Sequence, residues 1–160
     1  MASAGVRGHD VVVADTGAVL ALLDRNDAHH RAMRDVYDAD PDGWLLPWAI
    51  LPEVDYLVGK ELGEPARRVW LADLESGAFA VEWGAARDLA AARMLDDRYP
   101  SLRLGLVDAV VMAIAERIRA DIATVDLRHF GAVTLAHGPR LFPRDGAPLH
   151  RPRPGRPRRG

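Results

Sequence analysis

Apolar positions along this chain form short unbroken runs and longer helical stripes, and the two alternate. Residues 11–14 are all apolar and stop at Asp15-Thr16-Gly17. A run of that length closed by a turn signal reads as a strand buried on both faces. The apolar stretch that follows has no strand boundaries, so a helix is expected over about 16–23. Asp24-Arg25-Asn26-Asp27 makes a turn. Asp27 is expected to cap a helix reaching about Asp38, with His30, Met33, Val36 and Tyr37 on one stripe. After Asp40-Pro41-Asp42-Gly43 comes a brief strand, Trp44-Leu45-Leu46. Pro52 suits the first turn of the next helix, where a missing N–H costs little, and this places Glu53 near the helix start. Glu64-Pro65 opens another helix to about Glu75, ended by Ser76-Gly77. Residues 78–82 alternate like a strand, and a helix over about 85–97 is stopped by Tyr99-Pro100. The most apolar helix spans about 106–119, with Asp108 in its first turn and Glu116 and Arg117 facing out. Residues 122–125 form a second buried strand that ends in Asp126. A turn follows over 127–131, then a last short strand over 132–135.

Strands alternating with helices predict an α/β fold: one domain, a central parallel sheet and helices on both faces. Right-handed crossovers bring the carboxyl ends of all strands to one edge, which is where open α/β sheets bind ligands. The expected organisation is a flexible N-terminus over 1–9, a folded domain over 10–142 and a disordered Pro/Arg-rich basic tail over 143–160. No internal repeat is visible.

Composition narrows the chemistry. The chain has no cysteine, which excludes disulfides, zinc-thiolate sites and thiol catalysis. No run approaches the roughly 20 apolar residues of a membrane span, and the start carries no long apolar segment with a cleavage site. A soluble cytoplasmic protein is expected. The net charge of −2 hides an asymmetry: Arg151, Arg153, Arg156, Arg158 and Arg159 lie in the last ten residues without an acid among them. Without those five, 16 basic residues face 23 acidic ones, a net −7. A basic tail can attract RNA phosphate or be passive, and salt dependence distinguishes the two.

Four carboxylates fall at the edge this architecture exposes. Asp15 and Asp126 end buried strands; Glu53 and Asp108 start helices. Taken singly, each has a plainer role as a helix cap or dipole partner. Glu53 and Asp108 lie in apolar runs with no lysine or histidine at helical spacing from Asp108, and acids among hydrocarbon are costly unless paired or bound to metal. Hard oxygen donors select Mg2+ or Mn2+, ions that commonly work on phosphates.

The order Asp15-Thr16, Glu53, Asp108-Ala109-x-x-x-Ala113, then Thr124-x-Asp126-x-x-His129-Phe130 resembles the PIN-domain family, and within it the VapC-type ribonuclease toxins. The resemblance covers about 10–142. It implies a PIN-like fold and a Mg2+- or Mn2+-dependent endoribonuclease. Such an enzyme hydrolyses RNA phosphodiesters with metal-activated water and leaves 5′-phosphate and 3′-hydroxyl ends. It also implies a homodimer and inhibition by a cognate VapB-type antitoxin. Asp15 and Asp108 match the main metal ligands. Glu53 and Asp126 match acids that complete the site directly or through water, and Thr16 matches a supporting hydroxyl. Gly17 stands where serine or asparagine is frequent. Val111 and Met112 stand where some relatives carry a further acid, which argues for one firmly held metal, a second arriving with RNA if at all.

Other residues read more plainly. His129 is expected to shape its turn or to pack rather than to touch phosphate or the antitoxin. His29 and His30 are placed on a solvated helix face, Asp55 away from the site, and Asp96 and Asp97 on the surface. Trp44, Trp48 and Trp70 are assigned to the core or a dimer contact, the latter along 48–60 and 64–75. Two rivals remain. One is a catalytically weak PIN-like module that binds RNA or protein. The other is a phosphatase with Asp15 as nucleophile, which lacks the usual second aspartate, since position 17 is glycine.

Overall fold

The computed structural model describes residues 11–148. Its five strands are β1 (Val12–Ala14), β2 (Trp44–Pro47), β3 (Ala80–Glu82), β4 (Asp121–Ala123) and β5 (Leu141–Phe142). Six helices join them: α1 (Thr16–Leu23), α2 (His30–Ala39), α3 (Leu51–Leu62), α4 (Glu64–Ser76), α5 (Ala86–Arg98) and α6 (Gly105–Ile118). The strands form one sheet in the order β3-β2-β1-β4-β5, and every pairing is parallel.

That order fixes where a site can form. The chain steps outward from β1 to β2 to β3, then returns to lay β4 on the other side of β1. With right-handed crossovers, the helices before β3 cover one face and α5 with α6 cover the other. The direction reverses between β1 and β4, and this opens a crevice at their carboxyl ends. β1 and β4 are wholly buried, and so are Val110 to Ala115 of α6. This explains why these runs are apolar without interruption. On the other side, Trp44 and Trp70 are about 1% exposed and pack with Tyr37 and Phe79. Both are core residues, as expected.

Several boundaries differ from the pattern-based expectation, each for a local reason. The strand expected over 132–135 does not form. Amides there bond to side chains instead: Thr134 N–H donates to the Tyr99 hydroxyl and Ala136 N–H to Glu116. The last strand comes later, where Ile122 and Thr124 donate to the carbonyls of Arg140 and Phe142. Asp27 does not cap α2. Its carboxylate accepts from the His29 N–H in a tight turn, and the helix begins at His30. His29 is exposed, whereas His30 is half-buried, with its Nδ1 2.8 Å from the Ala21 carbonyl. Past β5, Asp145 folds back to accept from the Leu141 N–H. The first nine residues, and all five arginines of the tail, lie outside the described residues. No described helix is long and apolar enough to cross a membrane.

Arg117 does not face out either. Its guanidinium bonds to Asp88 at 2.7 Å and to Glu82 at 2.8 Å, tying α6 to the start of α5 and the end of β3. Asp88, about 2% exposed, also accepts from the Ala85 N–H. Removing one partner of a buried pair leaves the other charge uncompensated. Asp88→Ala is therefore expected to lower unfolding free energy by about 2 kcal/mol or more in urea denaturation. A change within about 0.5 kcal/mol, the scatter of surface substitutions, would show this triad to be dispensable.

Candidate metal centre

Asp15 is the first residue past β1, and burial leaves it about 4% exposed. It is the N-cap of α1: its Oδ1 accepts from the Ala18 N–H at 2.7 Å. Its Oδ2 accepts from the Thr124 hydroxyl. The capping role and a site role therefore fall on the same carboxylate. Thr124, the first residue past β4, is about 1% exposed and in turn accepts from the Asp126 N–H. One hydroxyl thus couples the two strand ends across the switch point. Gly17 fits closely here, since a Cβ would stand 3.0 Å from Val125.

Asp126 begins a closed turn. Its Oδ1 accepts from the N–H groups of Arg128 and His129, and its backbone carbonyl accepts from the Phe130 N–H. The turn carries His129 inward, so that Nδ1 lies 2.6 Å from Asp108 Oδ2 and 3.4 Å from Asp126 Oδ2. Asp108, on the first turn of α6, thus has a partner that its own helix does not supply. Periodicity along one helix cannot reveal such a contact. The available signal was the spacing Asp126-x-x-His129, which brings both side chains to one turn. Asp108, Asp126 and His129 each offer a ligand atom, all within 4.8 Å of one another.

Glu53 sits apart from this trio. It is exposed on the first turn of α3, and its Oε2 accepts from the Thr16 hydroxyl at 3.2 Å. Thr16, the neighbour of Asp15 in the chain, therefore ties Glu53 to the start of α1. Asp55 pairs with Arg67 and stays out of the site. Asp97 pairs with Arg93 on the surface, while Asp96 lines a groove of about 240 Å³ with Leu89, Leu106 and Ala109. Val111 and Met112 are fully buried, so α6 adds no further acid beyond Asp108 on that side.

The electrostatics follow from crowding acids at a dry edge. Burial pushes Asp15 up to about 7, against the hydrogen bonds from Thr124 and Ala18; the charges of Asp108 and Asp126 raise it further. Asp108 is also raised, first by burial, with His129 opposing and Asp126 adding. Carboxylates arranged this way want a cation, and the donor set of two carboxylate oxygens and an imidazole nitrogen fits a divalent metal ion.

An α/β domain with an acid cluster at its topological switch point is the class these features define. A family model for the PIN domain matches residues 12–134. The chain belongs to the PIN-domain family. It is 31% identical over 131 residues to Ribonuclease VapC26 of Mycobacterium tuberculosis, which covers 81% of this chain and 97% of that protein. Its fold is similar to the crystal structure of Mycobacterium tuberculosis VapC20, a sarcin-ricin loop cleaving toxin, with a TM-score of 0.63 and 22% identity. That likeness covers 72% of this chain and 91% of the other. DNA-bound VapBC from Salmonella typhimurium has the same TM-score of 0.63 at 14% identity, covering 82% and 96%.

An acid raised by folding is held protonated in the native state over a window where the unfolded chain has released its proton. Its contribution is complete below the unfolded value near 4 and is lost as pH rises through about 7. The metal-free protein should therefore lose stability over that window, and Asp15→Asn should lose less. Melting temperatures from about pH 5 to about pH 8 are expected to show the variant gaining on the wild type as pH rises. A constant difference would mean that Asp15 ionises without penalty.

Proposed function

We propose that this chain is a divalent-metal-dependent endoribonuclease, the toxin of a toxin–antitoxin pair. The observation that carries the reading is the convergence of Asp15, Asp108 and Asp126 at the switch point, with Glu53 linked to it through Thr16. Asp15 and Asp108 are the main ligands, and Glu53 and Asp126 complete the site directly or through water. Mg2+ or Mn2+ suits the oxygen-rich donor set. When bound, such an ion activates the attacking water and neutralises charge on the phosphodiester oxygens. The protein's part is to hold the acids in place before the ion arrives. Thr124 and the Ala18 N–H fix both oxygens of Asp15, and the 126–130 turn fixes Asp126. No side chain is assigned as nucleophile. Acids that repel phosphate make RNA affinity depend on the cation. A cytoplasmic location is part of the same reading.

Kinship with a ribonuclease named VapC26 and a fold like that of VapBC toxins supports the toxin role and a VapB-type antitoxin as partner. A homodimer is part of the same reading. Tyr56, Val69 and Leu71 are large, apolar and 65%, 60% and 44% exposed on α3 and α4, which suits the face expected for the second copy. Val69→Asp is expected to shift the mass in light scattering from two chains to one; an unchanged mass would put the contact elsewhere.

Purified, antitoxin-free protein should cut total cellular RNA into discrete fragments with 5′-phosphate ends when Mg2+ or Mn2+ is present, and should not with chelator. Asp15→Asn and Asp108→Asn should each lower the rate by about a hundredfold or more, as loss of a charge-stabilising group does. Folded, metal-binding protein that makes no fragment would favour the binding-module reading. Cutting that survives both substitutions would place the chemistry elsewhere.

A further inference from the structure

The turn that follows β4 is built to aim one imidazole. Phe130 is about 4% exposed and anchors the turn in the core. Gly131 closes it so tightly that a Cβ would stand 2.5 Å from the Leu127 carbonyl oxygen. Between these anchors and Asp126, His129 has little freedom. Asp126 Oδ1 is already occupied by the N–H groups of Arg128 and His129, which leaves Oδ2 facing the ring. Nδ1 then stands 2.6 Å from Asp108 Oδ2 and 3.4 Å from Asp126 Oδ2. Octahedral ligands about 2.1 Å from an ion lie about 3.0 Å from neighbours and about 4.2 Å from the opposite donor. The two distances bracket the neighbour spacing, so small side-chain shifts make room for an ion.

We propose that His129 is a direct ligand, through Nδ1, of a divalent cation shared with Asp108 and Asp126, and that this nitrogen tilts the site toward Mn2+ over Mg2+. The proposal rests on the divalent-metal reading above. Mg2+ demands hard oxygen donors and gives up water reluctantly, whereas imidazole is a good donor to transition-metal ions. An imidazole bound through Nδ1 carries its proton on Nε2, on the far side of the ring. The hydrogen bond to Asp108 in the metal-free protein then serves as a placeholder that keeps both groups aligned.

The test is Mn2+ titrated into the metal-free full-length chain at fixed pH, with free ion followed by electron paramagnetic resonance and bound ion by pulsed measurements. Wild-type protein should bind Mn2+ with a nitrogen coupling that changes isotope signature when histidine is labelled with ¹⁵N. His129→Gln should abolish that coupling and weaken Mn2+ binding about tenfold or more, with a smaller loss for competing Mg2+, so that the preference between the ions falls. Because all six histidines carry the label, His129→Asn serves as a second variant should His129→Gln fold poorly, and a nitrogen coupling that persists in a folded variant overturns the assignment to His129. Bound Mn2+ without nitrogen coupling overturns the ligand assignment and leaves the cation reading standing. Absence of Mn2+ binding that depends on Asp108, tested with Asp108→Asn, overturns both.

Discussion

The hydroxyl of Thr124 between Asp15 and the Asp126 amide is the contact on which the site depends. It spans the two strands at which the sheet reverses direction. A carboxylate about 4% exposed is costly to keep ionised. Its two oxygens are nevertheless each given a donor, one from the helix it caps and one from the neighbouring strand. Those donors lower the cost of the buried charge without cancelling it, and the residual cost appears as the raised pKa. The fold therefore holds an acid in readiness for positive charge rather than neutralising it with a fixed lysine or arginine.

That choice contrasts with the rest of the molecule. Elsewhere, buried and half-buried acids are matched by guanidinium groups: Asp88 and Glu82 by Arg117, Asp121 by Arg140, Asp55 by Arg67. At the carboxyl ends of β1 and β4 the only basic side chain among the described residues in contact with the acids is the imidazole of His129. An arginine there would hold the acids together permanently and block an ion. A histidine can give way or join the coordination shell. The distribution of cations across the structure thus separates acids paired with a guanidinium from acids that share only an imidazole.

The sheet and its acids were legible in the sequence because each depended on local pattern. Buried parallel strands are short apolar runs, and an acid placed directly after one marks the carboxyl edge; Asp15 and Asp126 are both of this kind. Glu53 and Asp108 were legible as first-turn acids in apolar helices. What local pattern could not supply was pairing between elements. The bond from His129 to Asp108 crosses 21 residues and that from Arg117 to Asp88 crosses 29. Neither helix periodicity nor charge spacing encodes such contacts. The missed last strand has the same origin. Residues 132–135 look as apolar as Leu141 and Phe142, but the amides of Ile122 and Thr124 donate to the carbonyls of Arg140 and Phe142, while the amides of Thr134 and Ala136 donate to the side chains of Tyr99 and Glu116.

The tight turn after β4 shows how a fold can spend stability on geometry. Gly131 carries the backbone entropy cost of any glycine, yet a Cβ there would collide with a backbone carbonyl and not with a side chain that could move aside. Phe130 contributes buried apolar area that offsets part of this cost. Both residues lie beyond the acids and contact no reacting group. Their effect is to hold His129 against Asp108 and to leave one oxygen of Asp126 free. The precision of the cluster therefore rests on a hydrophobic anchor and a missing methyl group just outside it, as much as on the charged residues themselves.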